Sequence, residues 1–194
     1  MVTVSTSATT EGAWGVARTV TDPSTGSGQA GVRGLARQIA ATVTDPEMPM
    51  LTLEDLGVLR SVEERDGRVE VAITPTYSGC PAMATMRDDL VHRLRDAGYA
   101  DVRVRVELAP AWSSDWISDD GRRKLAEHGI SAPRAAPHHD GPIPLNLLPL
   151  RREIACPRCG AADAELTSEF GATACKALYR CAACREPFEH VKEI

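Results

Sequence analysis

Four of the six cysteines form two pairs with a two-residue gap, Cys156-Pro-Arg-Cys159 and Cys181-Ala-Ala-Cys184. That gap lets both sulfurs of a pair turn toward one ion, and four thiolates satisfy a tetrahedral Zn²⁺. Gly160, directly after the first pair, permits the tight backbone this requires. The 21 residues between the pairs slightly exceed the ~15–20 of common paired-cysteine sites and leave room for the two strands of a ribbon. A single iron accepts the same four ligands. A small terminal ribbon with no open coordination position favours a structural zinc, which supplies folding energy that ~40 residues cannot supply alone.

Two cysteines stand outside this frame. If 175–181 is one strand, Cys175 lies about 20 Å from Cys181 at ~3.3 Å per residue, too far to share a mononuclear ion. It is either a core thiol or a second reactive group. Cys80 sits in Thr74-Pro-Thr76-Tyr-Ser-Gly-Cys80-Pro81, at the expected start of a helix. Unpaired N–H groups and the helix dipole there would stabilise a thiolate and lower its pKa. No histidine or asparagine nearby in sequence makes a hydrolase dyad with it. Asp45, Glu47, Glu54 and Asp55 could join Cys80 if the fold brings them to its loop; as a bare charge cluster they read as caps and solvated loop residues.

The elements that must position these groups follow from periodicity. Leu35, Ile39 and Val43 recur every four residues, as on one helix face that ends before Pro46. Asp66-Gly67 between two strand-like runs marks a hairpin, with Val69, Val71 and Ile73 alternating toward a core. Met83, Met86, Leu90 and Leu94 make an amphipathic helix, opened by Pro81 and stopped by Gly98. Residues 102–108 alternate as a half-buried strand, and 119–129 form a last short helix. The expected fold is α+β, a small sheet with helices packed on one side, followed by a C-terminal zinc β-ribbon. Residues 1–33, rich in Ser, Thr and Gly, read as a disordered tail with Trp14 its one docking feature, 34–131 as the α+β domain, 132–149 as a proline-rich linker holding solvated His138 and His139, and 150–194 as the ribbon domain.

The formal charge is −5 and aromatic residues make up 4% of the chain. That balance gives no electrostatic footprint for nucleic acid or an anionic membrane, and no base-stacking surface. The opening residues lack the basic start and apolar core of a signal peptide, and no stretch reaches the ~18 apolar residues of a membrane span. A cytoplasmic location is expected, and paired cysteines in a reducing compartment read as metal ligands.

The segments Asp45-Pro-Glu47, LTLEDLG, TPTYSGCP and PAWSSDWI together resemble the metal–sulfur cluster assembly family, which includes SufT-type and cytosolic iron–sulfur targeting proteins. Joined to CPRCG and GATACKALYRC, they resemble the PaaD family of accessory subunits in phenylacetyl-CoA epoxidase systems. The likeness spans about residues 34–194. It implies an accessory or maturation factor for iron–sulfur or di-iron centres in aerobic phenylacetate breakdown, with no catalytic site of its own. The alternative is a structural subunit of the oxygenase. Partners would be the oxygenase subunits or the iron–sulfur reductase, with a homodimer a possible assembly. By motif, Cys80 matches the family's reactive cysteine. Asp45, Glu47, Thr74 and Thr76 match its polar neighbours, and Cys175 falls in the tail motif. The resemblance adds transient Fe or an Fe–S cluster to the zinc. The loop Trp112-Ser-Ser-Asp115-Trp116 also matches; its tryptophans either touch a partner or close the core.

Overall fold

The computed structural model describes residues 28–77, 79–134 and 153–193. Most of the expected tail with Trp14, and most of the expected linker with His138 and His139, lie outside the described residues. Helix α1 (Gly28–Ala41) begins six residues inside the expected tail; Gly28, Gly31 and Gly34 dilute the apolar period without breaking the helix. Its buried face is also not the expected one. Leu35 is 44% exposed, and Ala36 and Ala40 point inward with Ile39. Small side chains let the helix lie close to its neighbours. Val43 is buried from the turn beyond the helix, where its N–H bonds Ala40 O at 3.2 Å.

Strands β1 (Thr44–Asp45) and β2 (Met48–Thr52) form a tight antiparallel hairpin. Asp45 Oδ1 holds the turn by accepting from the N–H groups of Glu47 at 2.7 Å and Met48 at 3.2 Å. The second hairpin joins β3 (Leu59–Arg65) to β4 (Arg68–Ile73). Asp66 and Gly67 take φ of 52° and 76°, the paired positive values of a type I′ turn. Helix α2 (Ala82–Asp96) then carries the chain over to β5 (Asp101–Val106), which lies parallel to β4. Sheet order is β3-β4-β5. Met86, Leu90 and Leu94 of α2 are buried in the same core as Val69, Val71 and Ile73 of β4. The strand expected over 102–108 stops at Val106, which pairs with Ile73 at the end of β4; Glu107 still donates its N–H to Ile73 O at 2.9 Å, and Leu108 beyond it is 64% exposed.

Trp112 closes this core and donates its indole N–H to Leu56 O at 2.8 Å. Trp116, in a short 3₁₀ turn (Ser114–Trp116), carries the Arg60 guanidinium 3.7 Å above its ring. Helix α3 (Asp119–Glu127) follows, capped by the Ser118 hydroxyl, and leads through Gly129 to β6 (Ile130–Ser131).

The ribbon consists of β7 (Ala164–Ser168), β8 (Lys176–Cys181) and β9 (Pro187–Val191). It does not stand apart from the α+β unit. β6 pairs in parallel with β9, matching Ile130 to Glu189 and Ser131 to His190, so a four-stranded sheet of order β6-β9-β8-β7 spans both. Val191 joins the first core, and Ile154, Cys156, Tyr179, Cys181 and Phe188 form a second. Among the described residues, no helix is long and apolar enough to cross a membrane.

Candidate metal centre and thiol site

The two cysteine pairs are built to one plan. In each, the first cysteine donates its N–H to the carbonyl five residues on, Cys156 to Ala161 at 2.9 Å and Cys181 to Glu186 at 3.0 Å. Each first carbonyl accepts from the residue four on, Gly160 at 2.9 Å and Arg185 at 3.0 Å. Both of those residues have positive φ, 76° and 67°. The glycine was legible as a turn residue; its counterpart Arg185 was not, because arginine carries no signal for that conformation.

The four sulfurs lie within 4.8 Å of one another, with Cys156 to Cys184 at 3.7 Å and Cys159 to Cys181 at 3.6 Å. A tetrahedron with Zn–S of ~2.3 Å has edges of about 3.8 Å, so the sulfur cage fits one zinc-sized ion. Without a cation the thiols resist losing all their protons. The Cys184 N–H, ahead of the Ala183 N–H, lowers Cys181. Cys184 is raised: the Glu186 N–H favours its thiolate, but burial and the thiols of Cys181, Cys159 and Cys156 outweigh it. A divalent ion removes that conflict by taking four thiolates at once.

Cys80 and Cys175 lie near the joint between the two units, one from each side. Cys175 lines a crevice with Met48, Thr76, Trp112, Val191 and Lys192. The crevice keeps about 10 Å³ of free space, no more than a single water needs, so the joint is packed. Cys175 is buried and 3.0 Å from the Thr173 hydroxyl, and Cys80 is half-buried at the foot of α2. The two thiols, Asp45 and Glu47 are close enough to feel one another's charge. Burial first, then Glu47, Asp45 and Cys175, push Cys80 up, with the Ala82 N–H opposing. The expected lowering at a helix start is therefore overturned: one N–H cannot offset lost water and two neighbouring acids. Burial likewise raises Cys175, against the Thr173 hydroxyl and with Glu47 and Asp45 adding to it. Asp45 is raised by burial despite the N–H groups of Glu47 and Met48, and Glu47 by burial and Asp45. Burial thus disfavours the charged form of each of these groups.

Of the residues singled out in sequence, Thr76 and Cys175 line one crevice, and Asp45, Glu47 and Cys80 lie close enough to Cys175 to act on its charge. Thr74 starts the Cys80 loop and is 1% exposed; its hydroxyl has no hydrogen-bond partner among the described residues. Glu54 and Asp55 do not join them. Glu54 pairs with Arg37 at 2.9 Å on the surface. Asp55 fastens α3, its Oδ2 accepting from Thr52 N–H at 2.9 Å and Lys124 Nζ at 2.7 Å. Sequence reasoning missed Lys176, whose ammonium acts on Asp45, Glu47 and Cys175 while buried against Glu189 at 2.7 Å. A lysine at the start of an alternating strand gives no hint of burial.

Residues 37–108 match the model of an iron–sulfur cluster assembly protein, and residues 144–192 that of a PaaD zinc beta ribbon domain. A cluster-assembly domain carrying a zinc ribbon with a four-cysteine cage is the class these matches define. One relative, from Escherichia coli strain K12, bears a provisional name as a component of 1,2-phenylacetyl-CoA epoxidase. It is 42% identical over 154 residues, covering 79% of this chain and 88% of that protein. The chain belongs to its family, the PaaD family. An Fe-S protein maturation auxiliary factor of Porphyromonas gingivalis is 31% identical over 86 residues, 43% of this chain and 81% of the relative. A crystal structure of a domain of unknown function from Bacillus anthracis shares 23% identity at a TM-score of 0.44, over 50% of this chain and 92% of that one.

Proposed function

We propose that this chain is an accessory factor that matures a metal centre, iron–sulfur or di-iron, of a phenylacetyl-CoA epoxidase system. The observation that carries this reading is that Cys80, Asp45 and Glu47 of the cluster-assembly domain and Cys175 of the ribbon lie near enough at one packed joint to act on one another's charge. It is supported by the iron–sulfur assembly match over the domain that holds Cys80 and by the name of the E. coli relative. Cys156, Cys159, Cys181 and Cys184 hold a structural zinc, which when bound fixes the ribbon and does no chemistry on a client. Cys80, with Asp45, Glu47, Thr74, Thr76 and Cys175 around it, takes up iron or a cluster transiently. The partners are the oxygenase subunits or the reductase, met in the cytoplasm.

The test is the iron content and turnover of the epoxidase made beside Cys80→Ser. We expect under-metallated enzyme and slow phenylacetyl-CoA turnover, with the variant folded and its ribbon metal retained. Full iron and full activity would exclude Cys80 from the role. The name of the relative, as a component of the epoxidase, favours a second reading, a structural part of the complex. Stoichiometric co-purification of the Cys80→Ser chain with fully iron-loaded, fully active oxygenase would put that reading ahead.

A further inference from the structure

The three-stranded sheet of the α+β unit ends on an uncovered strand. β5 pairs with β4 alone, and among the described residues no other element bonds its outer edge. The N–H of Glu107 reaches Ile73 O, and this fixes which backbone groups are spare. Residues 103, 105 and 107 turn their N–H and C=O groups to β4, so Val102, Val104 and Val106 turn theirs outward. The side chains of the same residues form an apolar row that starts in the core and runs out into solvent. Val102 is buried, Val104 is half-buried, Val106 is 43% exposed and Leu108 is 64% exposed. Ala109, Pro110 and Ala111 beyond them are exposed too. A free edge with an apolar end is a template for another strand. The opposite face of β5 is charged and exposed. Arg103 lies 3.6 Å from Asp101, and Arg105 pairs with Glu70 at 2.8 Å and with Glu107.

We propose that this edge binds a second copy of the chain, whose own β5 adds antiparallel with the twofold axis at Val106. Charge selects both the occupant and the register, because like charges directly opposite each other destabilise a strand pair. An axis at Val104 aligns the strands fully, but it sets Arg103 against the partner's Arg105 and Asp101 against the partner's Glu107. An axis at Arg103 or Arg105 sets that arginine against its own copy. An axis at Val102 pairs Asp101 with the partner's Arg103 but leaves Val106 and Leu108 in solvent. An axis at Val106 satisfies every group at once. Arg105 faces the partner's Glu107 on both sides of the axis, Val104 faces the partner's Leu108, and Val106 faces its own copy. The outward N–H and C=O groups of Val104 and Val106 then fall in the hydrogen-bonded pairs of the new ladder. The contact is isologous and closes at two copies, which share one six-stranded sheet. Val106 is level with Ile73, so Thr74, the root of the Cys80 loop, comes within about 14 Å of its copy, three strand spacings of ~4.8 Å. The inference does not depend on the maturation reading.

The experiment follows the mass of the full, zinc-loaded chain by sedimentation over a wide concentration range. A reversible dimer is expected. Arg105→Glu and Glu107→Arg should each weaken it roughly 10-fold, because each turns two symmetry-related attractions into repulsions. Combining Arg105→Glu with Glu107→Arg should restore it. Arg103→Glu, which faces the partner's Ala109 in this register, should leave the association unchanged. Val106→Pro removes an outward N–H and no bond to β4, a place where an edge strand tolerates proline. That variant should be a folded monomer that keeps its zinc. In the unmutated chain the amides of Val104 and Val106 should be protected from exchange in the dimer and exposed on dilution. A monomer at every concentration overturns the proposal. So does a dimer that Arg105→Glu and Val106→Pro leave intact, since the contact then lies elsewhere, or a combined exchange that recovers nothing. Protection of Val104 and Val106 in the monomer also overturns it, because the chain then covers its own edge.

Discussion

The ribbon and the joint hold all six cysteines between them, and they position their sulfurs in different ways. In the ribbon each pair comes from four consecutive residues, and the backbone hydrogen bonds that aim the sulfurs lie within the same turn. At the joint the two sulfurs come from positions 80 and 175, and no shared turn sets one relative to the other. Cys80 is set by the loop between β4 and α2. Cys175 is set by β8, which hangs on β9, which pairs with β6, which is carried by α3. A locally built site tolerates damage elsewhere in the fold, whereas one assembled at long range depends on every support along that route.

The largest test of this difference removes one ribbon ligand. Cys181→Ser should lose about one metal per chain, which is the loss of a folding contribution of about 10–16 kcal/mol in small zinc domains. The second core, which contains Cys156 and Cys181, should open and its amides exchange freely. The α+β unit keeps β3-β4-β5 and its three helices, so its hydrogen-exchange protection should largely persist. Cys175 should become freely alkylated. If it stays protected in metal-free protein, the joint does not depend on the ribbon's metal.

Legibility in the sequence divides along the same line. The cage could be read from spacing because its ligands are neighbours. The Asp66-Gly67 hairpin and the stripe Met86, Leu90, Leu94 could be read because their signals are equally local. The buried face of α1 was misjudged because burial there is decided by which small residues let neighbours approach, so Ala36 and Ala40 displaced Leu35. The parallel placement of β5 and the β6–β9 pairing leave no periodic trace. For Cys80 and its neighbours, motif resemblance named the residues. Local reasoning got the thiol's direction wrong because it saw the helix start and not the burial or the nearby acids.

A smaller effect is expected along the support route. Asp55 accepts from Thr52 N–H and Lys124 Nζ, and its carbonyl accepts Ser118 N–H at 2.8 Å, so it anchors the start of α3 to the β2 turn. Burial alone would raise its carboxyl, but Lys124 and Thr52 outweigh that and hold it below 3.8. A carboxylate lowered in the fold binds fewer protons there than in the unfolded chain. Its stabilisation is therefore complete above the unfolded pKa and fades as pH falls through the folded one. Asp55→Asn should cost about 1–3 kcal/mol at neutral pH, the lower end favoured because Lys124 is 27% exposed. It should also flatten the acid limb of stability below about pH 4. Denaturant melts across that range check the sign. Faster Cys175 alkylation in Asp55→Asn, with the zinc retained, would tie the joint to α3; an unchanged rate would cut that link.

The smallest effect lies within the ribbon and asks how local its construction is. Gly160 and Arg185 occupy the same place in the two turns, four residues after the first cysteine, with φ of 76° and 67°. A side chain in the left-handed region costs roughly 1–2 kcal/mol, because Cβ crowds the following carbonyl, and glycine escapes that cost. Glycine in turn loses more backbone freedom on folding, which returns roughly 0.5–1 kcal/mol. Arg185 is exposed, and its N–H to Cys181 O at 3.0 Å and its carbonyl accepting from Arg180 Nε at 3.1 Å are both backbone contacts, which glycine keeps. Arg185→Gly should therefore raise ribbon stability slightly, by less than about 1 kcal/mol. Its zinc should be held a few-fold more tightly in chelator competition. Gly160→Ala, which adds a Cβ at an open position with the same positive φ, should shift binding a few-fold the other way. Opposite signs at the two equivalent positions would mean that each turn sets its own sulfurs. Equal signs would mean that the tertiary joint, and not the turn, controls the cage.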